Sequence, residues 1–289
     1  MASTSIVDLG MDLLTGVDIH PFTQFVWRGK DKEVEWSGRL KAARQIFSLA
    51  EYEMVKQGMR RCATLHISPG NYDERIEKIM KDELVWLPIQ RTQSYNGFSH
   101  KHFPVENIDM DSSVYGVLAR SLDDAHEFRN ASAYYDSEKR VDHEAIGELL
   151  AFPECCCTFF NNVWRLGYYD YIWQTAMNTP GVEAVSETHI KVKGSVYTHQ
   201  LLRYLGFRVT SHLPCSFQCE ETKKIGKIWL DIMRETDSLA TDALLDVLRL
   251  PLTWSCLHGV AVITTDVFVL STNSMPTSKE YAIEFEVDD

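Results

Sequence analysis

The spacing of apolar residues predicts helices and strands that are mixed along the whole chain. From Ser37 to about Gly58, apolar residues recur at helical spacing, and this face comprises Leu40, Ala43, Ile46, Phe47, Ala50 and Met54. Caps and periodicity predict further helices, which cover residues 72–81, 121–131, 142–150, 153–166, 168–177, 220–233 and 239–250.

Strands are predicted where β-branched or alternating runs are bounded by turn residues. They cover residues 62–67, 113–119, 207–210, 258–264, 267–270 and 281–287, and residues 90–112 are predicted to form a loop. This mixture favours an α+β or α/β fold, with helices and short strands around one large core, over an all-helical bundle. We predict an N-terminal α/β portion, residues 1–110, and a second portion, residues 111–289, with one continuous domain as the alternative.

Composition and charge narrow the classes of function. The 289 residues carry a net charge of −12, and they contain no strong basic run, which disfavours binding to the phosphates of nucleic acids. No apolar stretch reaches the roughly 18 residues of a membrane span. Residues 1–15 lack the basic start of a secretory signal. We therefore expect a soluble cytoplasmic protein that acts on a small molecule, and the sequence does not indicate an oligomeric state.

Cysteine is concentrated in two short stretches. The chain has seven cysteines, an odd number, and five of them lie within residues 153–157 and 212–219. In a chain expected to be cytoplasmic, such clusters are metal ligands, redox groups or packed thiols, since disulfides are rare there.

The upstream stretch is Pro153-Glu-Cys-Cys-Cys157. Pro153 is typical of a first helical turn. Adjacent helical residues point about 100° apart, so three consecutive thiols cannot all face one ion. The apolar face that follows indicates Cys156 as the inward thiol and Cys155 as the next, with Cys157 as a bystander.

The downstream stretch is His212-Leu-Pro-Cys-Ser-Phe-Gln-Cys219. If Pro214 begins a helix, Cys215 and Cys219 lie four residues apart on one side of its first turns. His212 then lies on the approaching segment. Thiolate and imidazole are the ligands that Zn²⁺ and iron prefer, so Cys155, Cys156, His212, Cys215 and Cys219 are the candidate ligands.

Three further residues are candidates for proton transfer. Glu144 and Glu148 share a helix face and are either general bases or part of a solvated surface. His258 precedes Gly259 and is either a ligand or proton shuttle, or a structural turn histidine.

Three separated motifs also resemble a sparsely characterised prokaryotic family of unknown function. They are Gly147-Glu-Leu-Leu-Ala-Phe-Pro-Glu-Cys-Cys156, then Leu202-Arg-Tyr-Leu-Gly-Phe-Arg208 with Ser211-His-Leu-Pro-Cys-Ser-Phe-Gln-Cys219, then Leu250-Pro-Leu-Thr-Trp-Ser-Cys-Leu-His-Gly259. That family typically has Gly-Tyr-Pro before its paired cysteines, where this chain has Ala151-Phe152-Pro153. The resemblance implies one assembly made of Cys155 or Cys156 with His212, Cys215, Cys219 and His258, and it implies no activity.

Three hypotheses follow from these clusters. The first is a metal-dependent enzyme with a Cys/His-coordinated Zn²⁺ or iron centre, with an iron–sulfur cluster as a variant. The second is a metal-free thiol-redox enzyme or sensor that uses Cys156, Cys215 and Cys219. The third is a noncatalytic binding protein whose cysteines only pack.

Overall fold

The computed structural model describes residues 23–94, 100–104, 113–132, 141–167, 170–274 and 279–288. Helices and strands are mixed throughout these ranges, which confirms the predicted α+β class. The chain divides into two compact units, one within residues 1–50 and 162–289 and the other within residues 51–161. These boundaries lie at other residues than the predicted division near residue 110.

The helices of the described residues are α1 (Lys30–Lys56), α2 (Tyr72–Lys81), α3 (Leu122–Ser132), α4 (His143–Leu149), α5 (Glu154–Arg165), α6 (Tyr171–Met177), α7 (Glu220–Thr236) and α8 (Ser238–Leu248). Their strands are β1 (Gln24–Trp27), β2 (Cys62–Ile67), β3 (Val85–Ser94), β4 (His100–Pro104), β5 (Ser113–Ala119), β6 (Glu183–Ala184), β7 (His189–Gly194), β8 (Leu252–Leu257), β9 (Val260–Thr265), β10 (Phe268–Asn273) and β11 (Glu280–Val287). Helix α1 crosses the division at residue 50, and α5 crosses the division at residue 161.

The first unit is built on a seven-stranded sheet in the order β1-β10-β9-β8-β11-β7-β6. β11 pairs parallel with β7 and antiparallel with β8. The alternation predicted for β11 is present, because Tyr281, Ile283 and Phe285 are buried while Glu284 and Glu286 lie on the other face. Burial of this apolar face fixes the register of the strand against its neighbours.

Helix α1 begins at Lys30, seven residues before the predicted start at Ser37. The Gly29 carbonyl accepts the first hydrogen bond of the helix, from the Glu33 amide. Gly29 has a φ of 148°, which glycine adopts readily. Asp31 and Glu33 lie in the first turn, where carboxylates are favoured by the helix dipole. On the predicted apolar face, the ring of Phe47 stacks on Trp229 of α7 with centroids 5.1 Å apart.

The second unit is built on a four-stranded antiparallel sheet in the order β2-β5-β3-β4. The loop predicted over residues 90–112 is wrong where the structure describes it, because β3 and β4 pair from Gln90 with Pro104 to Ser94 with His100. These strands are largely polar, so they lack the apolar alternation on which the prediction depended, and backbone pairing does not require it. Residues 95–99 and 105–112 lie outside the described residues.

The strand predicted over residues 207–210 is also wrong, since this segment pairs with no strand. Other groups pair with this segment instead, and the Phe207 amide donates to the Leu202 carbonyl at 3.3 Å. Gln200 Nε2 donates to the Thr210 carbonyl at 3.2 Å, and Thr210 Oγ1 donates to the Tyr197 carbonyl at 3.1 Å. A buried backbone group needs a partner, but that partner need not be another strand.

Candidate metal centre

Four cysteine sulfurs lie together. The Sγ atoms of Cys155, Cys156, Cys215 and Cys219 are all within 4.8 Å of one another. A tetrahedral ion with metal–sulfur bonds of about 2.3 Å holds its sulfurs about 3.8 Å apart, so this spacing is close to that of a four-thiolate site. These four cysteines are therefore able to hold a metal ion.

The start of α5 presents two of these thiols. The Pro153 carbonyl accepts hydrogen bonds from the amides of Cys156 at 2.9 Å and Cys157 at 3.0 Å, so the chain is helical from this point. The Sγ atoms of Cys155 and Cys156 are 3.9 Å apart. Cys157 lies outside the group and faces α4, where its Sγ fills the space that a Cβ on Gly147 would occupy.

The other two thiols lie on a turn rather than on a helix beginning at Pro214, so that part of the prediction is wrong. Helix α7 begins at Glu220, and Cys219 is its N-cap. The amide of Thr222 donates to Cys219 Sγ at 3.5 Å, which satisfies one of the free amides of the first turn. The sulfur thus replaces the usual hydroxyl or carboxylate cap.

Helix α6 and the residues just after it hold this turn in place. The Pro214 carbonyl accepts from a tyrosine hydroxyl and, at 3.1 Å, from a threonine hydroxyl, and the Cys215 carbonyl accepts from an asparagine amide at 2.9 Å. The amide of Phe217 donates to a second threonine hydroxyl at 2.9 Å. These side chains belong to Tyr171, Thr175, Asn178 and Thr179. The contacts occupy the Pro214 and Cys215 carbonyls, which explains why no helix forms there.

These four residues were not predicted to belong to the site. Tyr171 and Thr175 lie four residues apart on α6, and Asn178 and Thr179 follow its end. The spacing of these polar groups gives no specific signal for the distant carbonyls and amide that they bind.

His212 lies outside the four-thiol group. Its ring is buried, with Nε2 2.8 Å from Thr222 Oγ1. Thr222 therefore contacts both His212, through its hydroxyl, and Cys219, through its amide. The structure places His212 as a neighbour of the turn that presents the thiols, and its role as a ligand stays a prediction.

The structure does not bring the three candidate proton carriers into the group. His258 is exposed at the turn between β8 and β9 and has a φ of 50°. Glu144 and Glu148 are exposed on α4. Exposed carboxylates are the usual case on a helix surface, and the catalytic roles of these three residues stay predictions.

The three remaining cysteines lie outside the four-thiol group: Cys62 and Cys256 are buried, and Cys157 is half-buried. Burial raises the pKa of Cys62 to about 12, and it also raises the pKa of Cys157 and of Cys256. Cys62 Sγ donates to the Asp124 carbonyl at 3.6 Å, and Cys256 Sγ lies 3.2 Å from Ser274 Oγ. A raised pKa keeps these groups protonated at neutral pH, which disfavours both metal binding and nucleophilic attack.

A buried polar network anchors α6 at its other end. Asp170 caps this helix by accepting from the Trp173 amide at 3.2 Å, and its Oδ1 accepts from the Tyr281 hydroxyl at 2.9 Å. Trp254 Nε1 donates to the same hydroxyl at 3.3 Å. Helix α6, which contacts the turn that carries Cys215 and Cys219, is thereby hydrogen-bonded to strands β8 and β11. The sequence did not predict this connection.

Comparison with known proteins assigns no family to this arrangement. No protein-family model, curated protein or solved structure matches the chain. The resemblance of the three motifs therefore stays a prediction. Within the described ranges, none of the helices is both long enough and apolar enough to cross a bilayer.

Proposed function

We propose that this protein binds a single Zn²⁺ or iron ion through the thiolates of Cys155, Cys156, Cys215 and Cys219. The observation that carries the proposal is that all four sulfurs lie within 4.8 Å of one another. Four thiolates in a tetrahedral shell are a common ligand set for zinc, and iron accepts the same set.

The spacing favours one ion over an iron–sulfur cluster. In a cubane cluster each cysteine binds a different iron atom, so the sulfurs surround a larger body. The 3.9 Å between the sulfurs of Cys155 and Cys156 is close to the value of about 3.8 Å expected around one ion.

The exposure of the thiols argues against simple packing. A packed cysteine is normally enclosed by hydrocarbon, but Cys155 is exposed and Cys215 is only half-buried. Cysteines at such positions add little to a core. Their convergence is better explained by a shared ligand.

A metal-dependent enzyme that acts on a small molecule in the cytoplasm is the fuller version of this proposal. Water activation requires an open coordination position, which a four-thiolate shell lacks. Metal binding is accordingly the part that the geometry supports best, and a substrate would have to approach at the exposed Cys155.

A metal-free thiol-redox function is the second candidate. The same proximity favours it, because thiol–disulfide exchange requires sulfurs that can meet. Among the described residues, none of the seven cysteines forms a disulfide. The two functions are separated by metal content, because a redox protein keeps its function after complete removal of metal.

Metal analysis of protein purified without oxygen tests the proposal. We expect about one equivalent of zinc or iron per chain, and an absorption spectrum separates coloured iron from colourless zinc. Replacing any one of the four cysteines with serine should weaken binding by at least about 100-fold, since a ligand is lost.

Cys157→Ser is the matched control, because Cys157 lies on the same helix but outside the group. It should retain the full metal content. Protein that contains no metal and takes up none from a zinc or iron solution would refute the proposal, and so would equal loss of metal in Cys157→Ser.

A further inference from the structure

The four thiols differ strongly in their access to solvent. Cys156 is 2% exposed and Cys219 is 7% exposed, whereas Cys215 is half-buried and Cys155 is exposed. Cys155 is therefore the member of the group that is most open to a molecule in solution. The structure gives the group one open side and three more protected members.

A hydrogen bond further lowers the reactivity expected of Cys219. The amide of Thr222 donates to Cys219 Sγ, and a donor on a thiolate withdraws electron density from the sulfur. Cys156 is shielded by burial instead. Attack on an electrophile requires access to the sulfur, and Cys155 is the most exposed cysteine of the four.

Metal binding activates a thiol for such an attack. A coordinating thiol is deprotonated outright, whereas a free thiol at neutral pH is only a few per cent thiolate. The thiolate is the form that acts as a nucleophile.

We propose that Cys155, while bound to the metal, is a nucleophile that accepts alkyl groups from small electrophiles. This inference depends on the proposed metal centre. The Cys155 sulfur attacks the electrophilic carbon, a carbon–sulfur bond forms, and the bond from carbon to the leaving group breaks. The leaving group departs with the bonding electron pair, and Cys155 becomes a neutral thioether.

Charge selects the class of electrophile. Four thiolates around a dication carry a net charge of −2, Glu154 is exposed next to Cys155, and the whole chain carries −12. Like charges in the same region repel. Neutral or cationic alkylating molecules should therefore react faster than anionic ones.

Iodoacetamide and iodoacetate form a matched pair of probes for this test, since they transfer similar groups and differ in charge. The full chain is first loaded with zinc, and one equivalent per chain is verified by metal analysis. Less than one equivalent of each probe is then added at about pH 7, and the modified cysteines are identified by peptide mass mapping.

We expect Cys155 to be modified at least about tenfold faster than Cys157, the half-buried neighbour that lies outside the group. Iodoacetamide should react with Cys155 about tenfold faster than iodoacetate. Removing zinc with a chelator should slow the modification of Cys155, because metal binding maintains the thiolate.

The outcomes separate the two proposals. A chain that takes up no zinc refutes the metal centre and this inference together. A chain that binds one zinc but is modified first at another cysteine, or reacts faster at Cys155 after chelation, refutes only the inference. Equal rates with the two probes would refute the preference for uncharged electrophiles.

Discussion

Replacing Ala151 with glycine is expected to stabilise the protein, although glycine inside a helix usually weakens one. Ala151 follows the end of α4 and has a φ of 52°, in the left-handed region. Its amide donates to the Glu148 carbonyl at 2.9 Å, and the amide of Phe152 donates to the Gly147 carbonyl at 2.8 Å. This pair of hydrogen bonds is the Schellman motif, in which glycine is the preferred residue at the position of Ala151.

The expected gain is a difference between two free energies. The Cβ of an L-residue in the left-handed region costs about 1–2 kcal/mol, which glycine avoids. Glycine in turn makes the unfolded chain more flexible, which costs about 0.4–1 kcal/mol. The Ala151→Gly variant should therefore gain about 0.5–1 kcal/mol in the free energy of unfolding.

Urea denaturation followed by tryptophan fluorescence measures this gain. The midpoint should rise for Ala151→Gly, and the melting temperature should increase by about 2 °C. Ala145→Gly, inside the same helix, is the matched control and should lose about 0.5–1 kcal/mol. Metal affinity should not change, because Ala151 is exposed and lies outside the four-thiol group.

An Ala151→Gly variant that is destabilised as much as Ala145→Gly would show that the backbone at residue 151 is not left-handed. The geometry that leads from α4 into Pro153, and hence to the first two thiols, would then be wrong as well.

Two further predictions concern buried polar side chains of the first unit. His199 is fully buried beside Phe285, and burial lowers its pKa to about 3. Because the unfolded chain binds this proton with a pKa of about 6.5, stability should fall as the pH falls from about 6.5 toward 3, by up to about 1.4 kcal/mol per unit. Urea midpoints at pH 7 and pH 5 should therefore differ more in the wild type than in His199→Phe, whereas equal differences would refute this assignment. Tyr281→Phe removes the hydroxyl that donates a hydrogen bond to Asp170. The free energy of unfolding should fall by about 1–3 kcal/mol, because a buried carboxylate loses a donor. Burial and the charge of Asp170 raise the pKa of Tyr281, so the free energy of unfolding should also fall as the pH rises above about 10. If the wild type and Tyr281→Phe lose stability equally at alkaline pH, this prediction is wrong.

Local features of the sequence predicted each of the eight described helices but only five of the eleven described strands, which are β2, β5, β9, β10 and β11. β2 and β5 have the predicted bounds, and so does α2, because each is a short segment with clear periodicity between turn residues. The Asp124 amide donates to Ser121 Oγ at 3.1 Å, as the capping box predicts for the start of α3. Such features depend on neighbours within a few residues, and these can be read from the sequence.

Predictions failed where distant residues satisfy the backbone. A helix at Pro214 was a reasonable local prediction, but α6 occupies the carbonyls of Pro214 and Cys215. The pairing of β3 with β4 was missed because its polar residues resemble those of a loop. In each case the competing partner has no signature within the segment itself.

The sequence by itself determined which thiols were available at the start of α5. Helical rotation prevents all three from facing one ion, and the apolar face that follows them indicated Cys156 and then Cys155 as the inward thiols. Only the tertiary structure decided that these two meet Cys215 and Cys219, while His258 lies at an exposed turn and His212 contacts Thr222. The physical reason is distance along the chain. About sixty residues separate the two cysteine stretches, and their meeting depends on burial and on hydrogen bonds from α6 that no local pattern encodes.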